Sequence, residues 1–354
     1  MATQVPATTR SYYFPAFGSY TNLALQTTLL PDLKSTEVLV KVQAVSLQYR
    51  DLMIAAGHYP TNLIDKLVPG CDMAGEVVAI GTDVTRWKAG DRVCANPSME
   101  YLDGDVDEDT LRMALGGGRH GVLTQYKAFP DPCLVRIPEH LSFEEASTLP
   151  CAALTAYNAL MGPKPVKAGD TVLILGTGGV SIFGLQFAVT SGATVIATSS
   201  SDAKLEITKR LGAAHTINYK ATPDWDKEVL RLTNGRGVDH VLEVGGPGTL
   251  QKSVVAARFA GQIHMIGFVS QDAAELTNIV GLCVRKGIIL RGVLIGSTAQ
   301  FESMNRLLRA RPESTRPVVD KVFSFEEAID AYAYLESQKH VGKIVIRVGA
   351  ESTL

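Results

Sequence analysis

Residues 37–46, EVLVKVQAVS, alternate, with Val38, Val40 and Val42 on one side and Lys41 and Gln43 on the other. A period of two is that of a strand with one face buried. Met73 to Ile80, closed by Gly81, reads the same way, and Arg92 to Cys94 is a short third run. Proline and glycine interrupt these runs at short intervals, so roughly the first 145 residues predict a mainly β region, a barrel or a compact mixed sheet. Residues 97–121 carry acids and then Gly116, Gly117 and Gly118, and predict a long excursion outside the core.

The texture changes at Phe143. Glu144 to Met161 predicts a helix interrupted by Pro150. Short apolar runs then alternate with helical stretches: a strand at Thr171–Leu175, a helix over 180–190, a strand at Thr194–Thr198, a helix at Ala203–Leu211, and strands at Thr216–Tyr219, His240–Val244 and Ile263–Gly267. Such alternation predicts an α/β fold, a doubly wound parallel sheet with helices on both faces. The helix over 180–190 carries Val180, Ile182, Phe183, Leu185, Phe187 and Val189, apolar nearly all round, as a helix buried on such a sheet must be. Beyond 290 the pattern predicts a strand near Ile289–Ile295, a helix around Glu326–Gln338 and a last strand at Lys343–Val348.

Gly176-Thr177-Gly178-Gly179-Val180-Ser181 joins the first parallel strand to its helix. Glycines there allow a tight turn and close approach of a pyrophosphate, which the helix N-terminus then meets with free N–H groups. The third position of the GxGxxG pattern is Ser181, small but not glycine, so the strand–loop–helix context carries the assignment. The end of the second strand selects the dinucleotide. A carboxylate would bind the ribose hydroxyls of NAD. Here Thr198-Ser199-Ser200-Ser201 stands instead, with no acid before Asp202. Hydroxyls donate to a 2′-phosphate and Lys204 pairs with it, so NADP(H) is the expected cofactor, held through Ser200, Lys204 and Tyr219. Glycines at two further strand ends, Val244-Gly245-Gly246 and Gly267-Phe268, would let the nicotinamide ribose approach.

Composition narrows the partners. Lys plus Arg number 34 and Asp plus Glu 36, a formal charge of −2, which argues against nucleic acid. No run approaches a membrane span or a secretory h-region. The five cysteines, at 71, 94, 133, 151 and 283, are odd in number and form no CxxC, so neither a disulfide framework nor a four-thiolate zinc lobe is expected. An intracellular, cytoplasmic protein is the expectation.

Several segments together carry a resemblance: Gln48-Tyr49-Arg50-Asp51, Gly57-His58-Tyr59-Pro60, Val68-Pro-Gly-Cys71-Asp72-Met-Ala-Gly75, Gly90-Asp-Arg-Val93, Cys151-Ala-Ala-Leu-Thr155-Ala-Tyr157, the glycine loop and Gly342-Lys343-Ile-Val345. The chain resembles the medium-chain dehydrogenase/reductase superfamily, most closely its zinc-free quinone oxidoreductase-like branch. The resemblance implies a GroES-like β-rich catalytic domain made of 1–148 and 291–354, with a Rossmann domain inserted at 149–290. It also implies a homodimer paired through the Rossmann sheet edge near 285–300. Against the zinc enzymes of the superfamily, Gln48 stands where the first cysteine ligand belongs, Cys71 replaces the histidine, Asp72 replaces the glutamate, Cys151 matches the third ligand and Met53 replaces a proton-relaying histidine. No metal is therefore expected. Tyr59 matches an active-site tyrosine of zinc-free reductases, and a phenol keeps its proton at neutral pH. Gln48 and Tyr49 are further candidate donors to substrate. Thr155, Leu294 and Lys343 match positions lining the cofactor cleft. His58 and His120 are expected at the surface.

Without zinc to polarise an oxygen, hydride transfer favours acceptors that delocalise the charge they receive, a quinone or a C=C bond conjugated to a carbonyl. The expected activity is NADPH-dependent reduction of such a small molecule. A metal-free alcohol dehydrogenase and a cofactor-binding relative without turnover remain alternatives.

Overall fold

The computed structural model describes residues 5–60, 63–269 and 279–349. Two compact units emerge: residues 1–154, 296–312 and 316–354 form one, and 155–295 with 313–315 form the other.

In the first unit, strands β1 (Thr8–Tyr13) and β2 (Ala24–Leu29) pair as a separate antiparallel ribbon. Then come β3 (Glu37–Ser46), helix α1 (Tyr49–Ala55), β4 (Asp72–Ile80), β5 (Arg92–Ala95), α2 (Glu108–Arg112), β6 (Tyr126–Pro130), β7 (Leu134–Arg136) and α3 (Phe143–Ala146). The chain passes through α4 (Leu154–Met161) into the second unit. That unit holds β8 (Thr171–Ile174), α5 (Gly179–Thr190), β9 (Thr194–Ser199), α6 (Asp202–Arg210), β10 (His215–Asn218), α7 (Trp225–Leu232), β11 (Val238–Glu243), α8 (Pro247–Ala256), β12 (Ala257–Met265), α9 (Ile279–Lys286) and β13 (Ile289–Gly292). The return to the first unit supplies α10 (Thr298–Ala310), β14 (Val319–Ser324), α11 (Ala328–Glu336) and β15 (Lys343–Arg347).

The alternation in 37–46 is met by a ten-residue strand at the centre of a seven-stranded sheet ordered β14-β15-β3-β4-β5-β7, with β6 also on β3. Val38, Val40 and Val42 enter a core with Phe14, Met73, Phe129, Leu134 and Tyr332. The excursion is shorter than its composition predicts. Residues 102–109 are exposed, but Leu115, Gly116 and Gly117 are buried, and Leu115 belongs to the core. Gly116 has φ +65°, and a Cβ there would lie 2.7 Å from Gly70 O, so only glycine permits this approach. The helix expected over 144–161 is in three pieces. Leu149–Ala153 widens into a π turn, and Pro150, which has no N–H to donate, sits inside it.

The second unit is a six-stranded parallel sheet ordered β10-β9-β8-β11-β12-β13. That is the doubly wound order in which the chain reverses direction across β8 and β11, leaving a crevice at their carboxyl ends. Helix α5 buries Ile182, Phe183, Leu185 and Phe187, which explains its lack of a polar face. The strand expected at 289–295 stops at Gly292. Ile295 takes φ +34°, a genuine outlier for a β-branched residue, and Asn158 Nδ2 donates to its carbonyl at 2.6 Å. Val293 N–H donates to Met265 O at 2.9 Å, so Val293 still serves this sheet. No helix is long and apolar enough to cross a membrane, among the described residues.

Inside this unit His240 and His264 stack with centroids 5.5 Å apart and Nδ1 of the first 3.2 Å from Nε2 of the second. His240 Nε2 lies 3.5 Å from Asp170, whereas His264 Nδ1 has no hydrogen-bond partner among the described residues. Burial, then the neighbouring His240 and Arg291, push the His264 imidazole down to about 3. The unfolded chain takes up this proton near pH 6.5, so the stability His264 contributes is complete above that pH and is lost as pH falls toward 3. At pH 5 the loss is about 2 kcal/mol. Urea titrations at pH 7 and pH 5 should show it in the wild type, with a smaller difference between the two pH values for His264→Gln.

Candidate active site

In the first unit β3 ends at Ser46 and α1 begins at Tyr49, with Gln48 between them as helix cap. Gln48 N–H donates to Asp51 Oδ2 at 2.7 Å, which fixes the turn. The register of β3 on β4 sets Ser46 opposite Asp72. Asp72 is completely buried and its two oxygens are fully engaged. Oδ2 accepts from the Ser46 hydroxyl at 3.1 Å and from the Gln48 amide, and the Lys343 ammonium lies 3.9 Å away. Oδ1 accepts from the Cys71 thiol at 3.1 Å. Burial raises the Asp72 carboxyl, and Lys343 is the largest influence holding it down.

Cys151 sits in the π turn, and its sulfur, the Cys71 sulfur and an Asp72 oxygen all lie within 4.8 Å of one another. These residues are the donor set open to a metal among the described residues. A catalytic zinc takes three protein ligands and leaves a fourth position for substrate. Here the carboxylate already has an amide, a hydroxyl and a thiol within hydrogen-bond distance and an ammonium 3.9 Å away. Gln48 directs its amide N–H into that carboxylate. A buried lysine cation already neutralises the charge a zinc ion would need. The donor set does not fit zinc.

Beside this cluster the Arg50 guanidinium lies over the Tyr59 ring, 5.0 Å from its centroid, and donates to Leu115 O at 3.1 Å. That contact orients Tyr59, which is partly exposed. Asp51 is buried, and burial pushes its carboxyl up to about 6 against the pull of Arg50 and the Gln48 N–H. At neutral pH it is still mainly ionised. Its Oδ1 and the hydroxyl of buried Tyr332 have no hydrogen-bond partner among the described residues. Tyr332 had no motif to announce it; it arrives from α11, 281 positions downstream of Asp51.

Tyr49 opens α1. Two expected site residues differ in setting from the sequence reading. The Gln48 amide N–H faces Asp72. Lys343, expected along the cofactor cleft, is 3% exposed and gives its ammonium to Leu47 O and Asp72. His58 is exposed, and His120 is exposed too but accepts from Val68 N–H at 3.2 Å.

In the second unit Gly176 takes φ +73° directly after β8, and Gly178 caps α5. A Cβ on Gly178 would meet nothing within 4 Å, and one on Gly176 would meet only Ser181 Oγ at 3.9 Å. Packing does not demand glycine there; open space in front of a helix N-terminus does suit a phosphate. Ser181 is buried and donates to Leu175 O at 2.7 Å, which accounts for a hydroxyl where the pattern favours glycine. Thr177 is buried, and Val180 half-buried, within the same turn, while Thr155 is buried at the start of this unit. Ser200 follows β9, Lys204 sits one turn into α6, and Tyr219 follows β10, 41% exposed. The Ser201 side chain does not cap α6, and Asp202, the nearest acid, accepts from Asn218 at 2.8 Å. Gly245 lies past β11, Gly267 and exposed Phe268 past β12, and Leu294 past β13, all at carboxyl ends of parallel strands.

One residue that sequence reasoning missed organises this edge. Glu243, fully buried at the end of β11, accepts from Gly245 N–H at 2.8 Å, Gly246 N–H at 3.0 Å, Thr249 Oγ1 at 2.5 Å and the Ser253 hydroxyl. The signal available was an acid at a strand end one residue ahead of two glycines.

Comparison with known proteins agrees with this geometry. Residues 34–139 match the alcohol dehydrogenase GroES-like domain, and residues 179–310 match the zinc-binding dehydrogenase family. A zinc-type alcohol dehydrogenase-like protein, C1773.06c of Schizosaccharomyces pombe, is 48% identical over 88% of this chain and 91% of its own. The 2-methylene-furan-3-one reductase of Solanum lycopersicum is 30% identical over 97% of this chain and 80% of its own. Among solved structures, an alcohol dehydrogenase of Sinorhizobium meliloti 1021, itself described as putative, superposes with TM-score 0.90 at 36% identity, covering 98% of this chain and all of that one.

The chain belongs to the medium-chain dehydrogenase/reductase superfamily. This superfamily member therefore combines a GroES-like domain with a Rossmann-like parallel sheet, as the resemblance implied, and is an oxidoreductase built for a nicotinamide cofactor. The bare glycine cradle fits such a cofactor. Removing the Glu243 carboxylate leaves two half-buried N–H groups and two hydroxyls without their acceptor, at a cost of about 2 kcal/mol or more. Glu243→Ala should lower the urea midpoint and, by loosening the loop at 244–249, weaken cofactor binding in a fluorescence titration.

Proposed function

We propose that this dehydrogenase/reductase is an NADPH-dependent, zinc-independent reductase that delivers hydride to a quinone or to a C=C bond conjugated to a carbonyl. The observation that carries the reading is the Asp72 carboxylate, already partnered by Lys343, Gln48, Ser46 and Cys71 in the donor set open to a metal among the described residues. With no Lewis acid to polarise an alcohol or isolated carbonyl, the acceptor must spread the incoming charge itself. The named tomato relative supports this acceptor class, since a methylene conjugated to a ketone is such an acceptor.

The bound nicotinamide supplies the hydride. The chain's own contribution is positioning and hydrogen bonding. Tyr59, its ring set by Arg50, is the donor assigned to the developing enolate or phenolate oxygen, with Tyr49, next to Arg50 in sequence, as a second phenol. Gln48 acts through Asp72 and so is a positioning residue. Ser200, Lys204 and Tyr219 are assigned to the 2′-phosphate: the Ser200 hydroxyl and the Lys204 ammonium follow the strand end where a ribose-binding carboxylate is missing. The β13 edge, flanked by Ile289 at 46% exposure and Val284 at 78%, is assigned to pairing with a second copy in a homodimer.

Five measurements test the reading. NADPH should exceed NADH in kcat/KM by about tenfold or more, and Lys204→Ala should remove about that factor for NADPH alone, near 1.4 kcal/mol. Across a panel of quinones, enones and secondary alcohols, the conjugated acceptors should be turned over. Tyr59→Phe should lower kcat while leaving cofactor affinity unchanged. Dialysis against a chelator should leave the rate intact with less than stoichiometric zinc. Turnover confined to alcohols, or loss of the rate on chelation with recovery on zinc addition, overturns the proposal. Ile289→Lys should convert a dimer to monomer in light scattering; Val293→Pro is the poorer probe, because it also breaks the bond to Met265.

A further inference from the structure

A second polar cavity lies in the first unit, built from residues that no step of the reductase reading uses. Helix α10 places Glu302, Asn305, Arg306 and Arg309 at spacings of three and four, hence on one face. Opposite stand Arg136, at the end of β7, and the Arg86–Trp87 turn before β5; together they line a cavity of about 350 Å³. That volume is at the small end of the range for ligand pockets, ~300–1,000 Å³.

Trp87 is 4% exposed, donates its indole N–H to Asp131 O at 3.1 Å, and carries the Arg86 and Arg136 guanidiniums at 5.1 and 5.4 Å from its ring. Arg86 pairs with Glu302, and Arg136 makes two bonds to Asp91 at 2.9 and 3.3 Å. Those two cations are thereby neutralised. Arg306 meets only the Ser303 hydroxyl, and Arg309 meets no carboxylate, among the described residues. Two guanidinium charges therefore line the cavity without a counter-ion.

Asn305 adds the second observation. It is 1% exposed, and its Nδ2 donates to the Arg136 carbonyl at 2.9 Å, which fixes the orientation of the amide. Its Oδ1 is buried with no hydrogen-bond partner among the described residues. A buried acceptor without a donor costs free energy that a bound hydroxyl would recover.

We propose that this cavity binds a small hydroxyl-bearing phosphate monoester, the phosphate held by Arg306 and Arg309 and a hydroxyl donated to Asn305 Oδ1. Planar forked guanidiniums suit phosphate oxygens. A simple dicarboxylate would satisfy the charge but offers no donor to Asn305.

The test reads binding, not turnover, so it stands or falls separately from the reductase reading. The chain has two tryptophans, and Trp225→Phe leaves Trp87 as the reporter. With NADP⁺ at saturation to occupy cofactor phosphate sites, glycerol 3-phosphate and methyl phosphate are titrated while Trp87 emission is followed. Glycerol 3-phosphate should give a saturable change. The double variant Arg306→Ala/Arg309→Ala, and Arg309→Gln as an independent single variant, should weaken it, the double by about tenfold or more, with Tm unchanged because both side chains are exposed and carry no ion pair. Methyl phosphate, which has no alkyl hydroxyl, should bind more weakly. Equal binding of the two phosphates, unchanged affinity in the double variant, or a response no larger than that of sodium chloride at matched ionic strength overturns the proposal.

Discussion

One buried carboxylate organises the catalytic unit. Asp72 begins β4 with no exposed surface, and a charge so placed is tolerated only when it is paired and hydrogen-bonded. Its partners come from four places in the chain: Ser46 from the end of β3, Gln48 from the cap of α1, Cys71 from the residue just before β4 and Lys343 from the start of β15. Lys343 also donates to Leu47 O, so the returning C-terminal segment is bonded to the β3–α1 turn by the same ammonium. Removing one partner of such a pair leaves an uncompensated buried charge, typically costing about 3–5 kcal/mol. The same ammonium thus joins the two ends of the chain into one unit and stands beside the carboxylate of the candidate site.

The nucleotide unit solves a different problem by the same means. A loop that must leave room for a cofactor cannot be fixed by side chains standing in that room. The glycines at 176 and 178 leave it open, and the fixing is done from beneath. Ser181 holds the carbonyl at the end of β8, and Glu243 gathers two backbone N–H groups and two hydroxyls behind the loop after β11. Asn158 does similar work after β13, bonding Ile295 O and accepting from Arg291 at 2.7 Å. The strained Ile295 shows that the chain bends there under constraint.

Polar groups left over from these tasks are informative. His264 Nδ1, Asp51 Oδ1, Tyr332 OH and Asn305 Oδ1 are all buried and unpartnered among the described residues. Asp51 and Tyr332 lie beside the candidate active site, His264 lies inside the nucleotide sheet, and Asn305 faces a cationic cavity. Burial of an unpaired polar atom is costly wherever it occurs; of these four, Asn305 lines the cavity it shares with Arg306 and Arg309.

Much of the fold was legible because its signals are local. The period of two in 37–46, the apolar run of 180–190 and the glycine loop that joins this helix to the strand before it each depend on neighbours within a few residues. So did the missing carboxylate after β9, whereas the residue types at 48 and 71 gained meaning only through the family resemblance. Local patterning therefore determined the α/β class and the cofactor-loop conformation. What lay beyond it were partnerships across long separations. Nothing near position 343 shows that its lysine neutralises Asp72, nothing near 332 shows that its phenol faces Asp51, and nothing near 309 shows that α10 lines a cavity with Trp87. Side-chain direction and burial arise only when strands take their register and helices their faces, and these decide whether a charged group is a ligand, a strut or a site.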